Sequence, residues 1–213
     1  MTYIENVFLC ITVPLILSLF FKSGSARRST LFAVLGMGIC LLSAYVSSFF
    51  MGFYGTDTVT ASVEITPVCE EAMKLLPLLF YLLIFEPKPN ELPAAAISIA
   101  AGFATFENVC YLAENGAENL TFLLVRGVSA GALHILCGIL TGFGISHVFR
   151  RRWLMLTGTV GILGSCTGFH AIYNLLISAD GAFKTAGYVF PSVFILCLFV
   201  IRHLLSKLKG NTA

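Results

Sequence analysis

Apolar runs of about twenty residues recur along almost the whole of this sequence, and a helix needs about 20 such residues to cross the hydrocarbon of a bilayer. They fall roughly at 3–21, 30–53, 63–85, 94–113, 120–148, 153–178 and 187–206. The pattern predicts an all-α fold, a polytopic membrane helical bundle of about seven transmembrane helices. Only 11% of the 213 residues are charged and the mean hydropathy is +0.90, whereas soluble domains carry about 25% charged residues. No shift in composition marks a second unit, so residues 1–213 read as a single bundle domain.

The linkers are short and rich in turn residues, as in KSGSARR, EPKPNELP and SADGAFKTAG. Basic residues concentrate in alternate linkers: Lys22, Arg27 and Arg28, then Lys88, then Arg150, Arg151 and Arg152, then Lys207 and Lys209. The linkers between them hold Asp57, then Glu114 and Glu118, then Asp180 with Lys184. Basic loops stay in the cytoplasm, so the alternation predicts an outside N-terminus and a cytoplasmic C-terminus in a plasma membrane. Glu5 is the first charge and the basic residues follow the first apolar run, an order expected of a retained span rather than a cleaved signal.

A net charge of +2 with no basic stripe argues against a nucleic-acid partner. The seven cysteines are scattered singly, without CxxC or Cys/His zinc spacing, and read as small buried hydrophobes. Gly127, Gly131, Gly138 and Gly142 in the fifth run, and Gly158, Gly161, Gly164 and Gly168 in the sixth, suggest close helix approach. Asn119-Leu120-Thr121 matches a glycosylation sequon but abuts an apolar run, where the match is expected to be fortuitous.

The third run breaks the apolar rule. It carries Glu70, Glu71 and Lys74 near its middle, and each ionisable group in hydrocarbon costs roughly 2.5–3.5 kcal/mol. Lys74 stands one helical turn after the two glutamates, close enough to offset part of their charge, so a structural ion pair is the plainest account. Other runs carry polar groups too. FATFENVCY holds Glu107 and Asn108, with Phe103 and Tyr111 one turn to either side; the fifth run holds Arg126 and His134; the sixth holds His170 and Asn174 on one face. At 1.5 Å per residue, Glu70, Glu71 and His170 lie about 12 Å below the outer surface, Glu107 and Arg126 about 9 Å, and His134 about 21 Å. Independent ion pairs have no reason to share a layer, so one composite site in the outer half of the membrane is expected.

Hydrolysis suits such a set. A carboxylate shielded in an apolar pocket can take a proton from water and later return it. A histidine can orient that water or bond a developing oxyanion, and the Asn174 amide is a fixed donor. Glu70, Glu71, Glu107, His134 and His170 could instead hold a divalent metal such as zinc that acidifies bound water. The sequence has no HExxH to support the metal version and no Gly-x-Ser-x-Gly elbow to support a serine nucleophile.

Glu70-Glu71-Ala-Met-Lys74, Phe103-Ala-Thr-Phe-Glu107-Asn108, Arg126 with His134, and His170-Ala-Ile-Tyr-Asn174 together resemble the motif set of the PrsW family. These are bacterial intramembrane proteases related to the type II CAAX prenyl endopeptidases. The resemblance covers roughly 63–178, the expected catalytic core, and rests on all the motifs occurring in order. It implies a membrane-embedded peptidase that cuts single-span anti-sigma factors at an extracytoplasmic site. By the same resemblance, Glu70 and Glu71 would activate water, and Glu107, His134 and His170 would bind water, metal or substrate. Asn174 would assist His170, and Lys74, Asn108 and Arg126 would support. The prenyl endopeptidases place a basic residue one position later than Lys74 and a histidine where this chain has Glu107, which speaks against prenylated substrates. Two other functions fit the polar residues: a proton or cation transporter using a Glu/His relay, and a scaffold or immunity-type binding protein without turnover.

Overall fold

A computed structural model describes residues 3–88, 90–116 and 119–210, apart from the side chains of 202 and 205–210. Glu118, Lys207 and Lys209 of the charge alternation therefore lie outside the described side chains. The chain is helical: α1 (Ile4–Ser18), α2 (Gly24–Tyr54), α3 (Thr58–Glu64), α4 (Thr66–Phe85), α5 (Glu91–Asn115), α6 (Leu120–Val148), α7 (Met155–Ser178) and α8 (Ala182–Gly210). Short 3-10 turns, Leu19–Phe21 and Arg152–Leu154, extend α1 and precede α7. Among the described residues, six stretches are long and apolar enough to cross a membrane: Ile4–Phe21, Gly24–Tyr54, Glu91–Asn115, Leu120–Val148, Arg152–Ser178 and Ala182–Ile201. The protein is a polytopic helical membrane bundle.

The third run departs from the single span expected over 63–85. It breaks at Ile65 into α3 and α4, and Pro67 opens α4, where a missing N–H leaves no helical bond unmade. Asp57 caps α3: its Oδ1 accepts from the Val59 and Thr60 amides at 2.9 and 3.0 Å, and its Oδ2 accepts from the Thr60 hydroxyl at 2.6 Å. These bonds, the hydroxyl's first, hold the Asp57 carboxyl below its ordinary range. α4 is 20 residues long, but the charges of Glu70, Glu71 and Lys74 set it apart from the six apolar stretches. Because it begins afresh at Thr66, Glu70 and Glu71 sit only about 6–8 Å along it, nearer a helix end than a continuous span would place them.

α5 and α6 form the centre. In their most apolar windows 44% and 39% of residues are buried, against 6% for α1 and 11% for the end of the chain in α8, whose apolar side chains face outward as lipid would require. α2 and α5 meet backbone to backbone. A Cβ at Gly36 would strike the Ile99 carbonyl and one at Gly102 the Ala33 carbonyl, so only glycine admits the contact. Of the glycine stripes, Gly138 and Gly142 do seat α6 against Ala96, Ala100 and Pro93 of α5, whereas Gly131, Gly161, Gly164 and Gly168 face open space. Gly102→Ala is accordingly expected to cost about 1–3 kcal/mol or more. Circular dichroism of the detergent-solubilised chain should show earlier melting, with Gly161→Ala unchanged as the control.

One end of the bundle gathers the basic loops. Arg28 pairs with Glu91 at 2.8 Å and ties the starts of α2 and α5 together. The apolar cluster of Phe32, Leu75, Leu78, Leu92 and Ile145, with Leu82 and Phe149 against it, brings the ends of α4 and α6 to the same place. The sequon residue Asn119 caps α6, its side chain accepting the Phe122 amide at 3.0 Å.

Candidate active site

Four helices deliver the polar side chains. α4 supplies Glu70, Glu71 and Lys74 on its second and third turns, α5 supplies Glu107 and Asn108, α6 supplies Arg126 and His134, and α7 supplies His170 and Asn174. The composite site expected from the sequence forms, as a continuous chain of contacts.

Glu71 is its hub. Its Oε1 accepts from Lys74 Nζ at 2.6 Å and from His170 Nδ1 at 2.9 Å, and the Glu71 and Lys74 side chains are 3% and 8% exposed. An aromatic neighbour adds to this charge pair: Lys74 Nζ lies 4.5 Å from the centre of the Phe103 ring, whose face attracts a cation. Lys74 therefore pairs with Glu71 and, through a second proton, reaches His134 Nδ1 at 2.9 Å. An ammonium has no acceptor capacity, so His134 Nδ1 must accept, and the imidazole proton sits on Nε2. That proton is donated to Glu107 Oε2 at 2.6 Å. His134 was the deepest residue by simple counting, yet it meets Glu107.

Glu107 is also held from the other side. Arg126 Nη2 donates to its Oε1 at 3.2 Å while Arg126 Nη1 donates to Asn108 Oδ1 at 2.5 Å. The Arg126 guanidinium rests 3.8 Å from the centre of the Tyr111 ring. Phe103 and Tyr111, one turn either side of Glu107, thus each pack against a cation, one Lys74 and the other Arg126.

Glu70 is different. Its Oε2 is buried and has no hydrogen-bond partner, and it stands 3.8 Å from His170 Nε2. With His170 Nδ1–H given to Glu71, a neutral His170 leaves its Nε2 lone pair directed toward that orphaned oxygen. Beside them opens a cleft of about 340 Å³, lined by Glu70, Glu107, His170 and Asn174 with Ser62, Thr66, Ile177 and Ser178. It lies at the end of the bundle opposite the basic loops. Asn174 reaches this cleft but bonds elsewhere than expected: its Nδ2 donates to the Ser62 carbonyl of α3 at 2.7 Å, tying α7 to the short helix.

The donor set also fits a metal. Glu70, His134 and His170 can each present one ligand atom with all three within 4.8 Å of one another. A carboxylate and two imidazoles match hydrolytic zinc sites, and His170 backed by a carboxylate is the usual support for such a ligand. A buried carboxylate oxygen without a partner is what a missing ligand bond would leave.

Two features escaped the sequence reading. Ser62 and Thr66 line the cleft because the chain breaks at Ile65, and only the proline after it hinted at this. Four of the seven cysteines also meet across helices: Cys137 and Cys166 each reach the other's carbonyl across α6 and α7, and Cys110 of α5 packs against the cluster that holds Cys40 of α2. Cys40, Cys69, Cys137 and Cys166 are buried as expected, whereas Cys10 and Cys197 are exposed.

Comparison with known proteins agrees with this geometry. A model described as PrsW family intramembrane metalloprotease matches residues 25–202. Protease PrsW of Oceanobacillus iheyensis is 25% identical over 193 residues, covering 87% of this chain and 83% of that protein. Protease PrsW of Bacillus subtilis is 29% identical over 111 residues, covering 49% of this chain and 46% of that protein. No solved structure matches. The helical membrane bundle, its buried Glu/His network and these matches show that the chain belongs to the PrsW family of intramembrane metalloproteases and is a multi-pass membrane peptidase.

Proposed function

We propose that this peptidase cuts single-span membrane proteins of the anti-sigma-factor type near the extracytoplasmic face of the bacterial plasma membrane, with Glu70 at the reacting water. The observation that carries the reading is the orphaned Glu70 Oε2, buried at the cleft and 3.8 Å from His170 Nε2. A carboxylate oxygen free of other hydrogen bonds can take a water's proton. Glu71 fixes the His170 ring through Nδ1, so the Nε2 lone pair stays available to accept from the water. Lys74 fixes the His134 tautomer, and Arg126 with Asn108 fixes Glu107 at the cleft wall. The second Asn174 amide hydrogen can meet a substrate carbonyl while the first stays on Ser62.

Glu70, His134 and His170 are the residues that would hold a divalent ion of the zinc class, with His134 giving up its bond to Lys74 or to Glu107 to do so. Bound there, it supplies Lewis acidity and a more acidic water. The extracytoplasmic assignment is supported by the cleft lying opposite the basic loops, which favour the cytoplasm.

The test is cleavage of a single-span reporter by the purified chain in liposomes, with the new termini located by mass spectrometry. Cuts near the outer boundary, lost on chelation and restored by zinc, are expected. Cuts confined to the cytoplasmic half, or activity only on soluble peptides, would overturn the proposal. Full activity in metal-free protein would assign the reaction to the carboxylates and histidines alone.

A further inference from the structure

One turn from the catalytic histidines lies a second cluster that the peptidase reading leaves unused. Cys137 follows His134 by three residues on α6, and Cys166 precedes His170 by four on α7, so each thiol shares a helix face with a histidine. Cys137, Cys166 and Glu71 each offer a ligand atom within 4.8 Å of the others, and all three are buried, at 1%, 1% and 4% exposure. The thiols are free, not joined as a disulfide. Cys137 Sγ lies 3.7 Å from the Cys166 carbonyl, Cys166 Sγ lies 3.6 Å from the Cys137 carbonyl, and Thr141 Oγ1 stands 3.5 Å from Cys166 Sγ. A small void of about 10 Å³, roughly the room of one water, adjoins the cluster and is lined by Glu71, Lys74, Cys137 and Thr141 among apolar groups.

We propose that Glu71, Cys137 and Cys166 form a second divalent-cation site, for thiophilic ions of the zinc and cadmium class, distinct from the Glu70, His134 and His170 set. Two sulfurs and a carboxylate suit such an ion, and the void leaves space for a water as fourth ligand. Charge balance favours occupancy. One M²⁺ with two R–SH gives M(S–R)₂ and two H⁺, so a dication replaces two protons and the net buried charge is unchanged. The usual barrier to an ion at this depth, an uncompensated charge, does not arise. Glu71 holds both Lys74 and His170, so an ion drawing on its carboxylate shifts the catalytic ring, and a filled site lowers peptidase activity.

The test is titration of the purified full-length chain in detergent with Cd²⁺ alone, following the thiolate-to-cadmium charge-transfer absorption in the ultraviolet. The wild-type chain is expected to show the band on binding one ion. Cys137→Ala and Cys166→Ala should each weaken binding about 100-fold or more, since even loss of an outer partner costs 10–100-fold. Glu70→Gln and Cys40→Ala should leave the band in place. No band in the wild-type chain, a band that survives Cys137→Ala with Cys166→Ala, or one abolished by Glu70→Gln overturns the proposal. Circular dichroism separates a lost site from a lost fold. Should the cysteine variants unfold, protection of Cys137 and Cys166 from alkylation by Cd²⁺ in the wild-type chain, read by mass spectrometry, decides the question.

Discussion

Glu70→Gln is expected to abolish cleavage of a single-span reporter, lowering turnover by about 10²–10⁴-fold, the usual worth of a positioned acid–base group. Glutamine keeps the shape of the side chain and removes the proton acceptor and the negative charge. Since the wild-type Oε2 has no partner, its replacement breaks no bond of the described structure. The variant should therefore melt at the same temperature or slightly higher, because a buried and incompletely satisfied charge has been removed. Glu71→Gln should behave otherwise. Its Oε1 receives Lys74 and His170, so this change is expected to lower both stability and activity. Glu70→Gln activity within about tenfold of wild type would exclude Glu70 from the acid–base role, whose loss costs at least 10².

The second large effect is on the fold. Lys74→Met is expected to destabilise the chain by about 3–5 kcal/mol, the cost of leaving one member of a buried charge pair uncompensated. The ammonium holds Glu71 at 2.6 Å and His134 at 2.9 Å, and no other cation bonds Glu71 among the described residues. Its loss also frees His134 to change tautomer, loosening the grip on Glu107. Thermal unfolding in detergent reads the loss. Combining Lys74→Met with Glu71→Gln removes both charges, and should recover most of the stability without recovering activity. An unchanged melting temperature for Lys74→Met alone would show that the pair does not hold the bundle together.

Much of the site was legible beforehand for one physical reason. Charge is so unfavourable in an apolar helix that Glu70, Glu71, Glu107, Arg126, His134 and His170 stand out without any structure. Reading them as one layer anticipated their contacts. The transporter and scaffold alternatives, which the same residues allowed, yield to the family match, because it identifies a peptidase. Other features stayed hidden. Asn174 shares a face with His170, which suggested a partnership, but its bond to Ser62 depends on a helix break that apolar runs do not register. The glycine stripe of α7 had the spacing of a packing face, yet Gly161, Gly164 and Gly168 meet nothing, while the tight α2–α5 contact uses Gly36 and Gly102 instead.

The sequence by itself determined the class of molecule and the residues that carry charge into it, because hydropathy and the energetic penalty on buried ions are properties of each residue type. What the tertiary structure decided is who pairs with whom. Glu70 and Glu71 are chemically identical neighbours, but a helix places successive side chains about 100° apart, so α7 and Lys74 satisfy Glu71 and leave an oxygen of Glu70 open. That asymmetry, which no spacing along the chain expresses, separates the carboxylate bound to Lys74 and His170 from the one with an unpartnered oxygen.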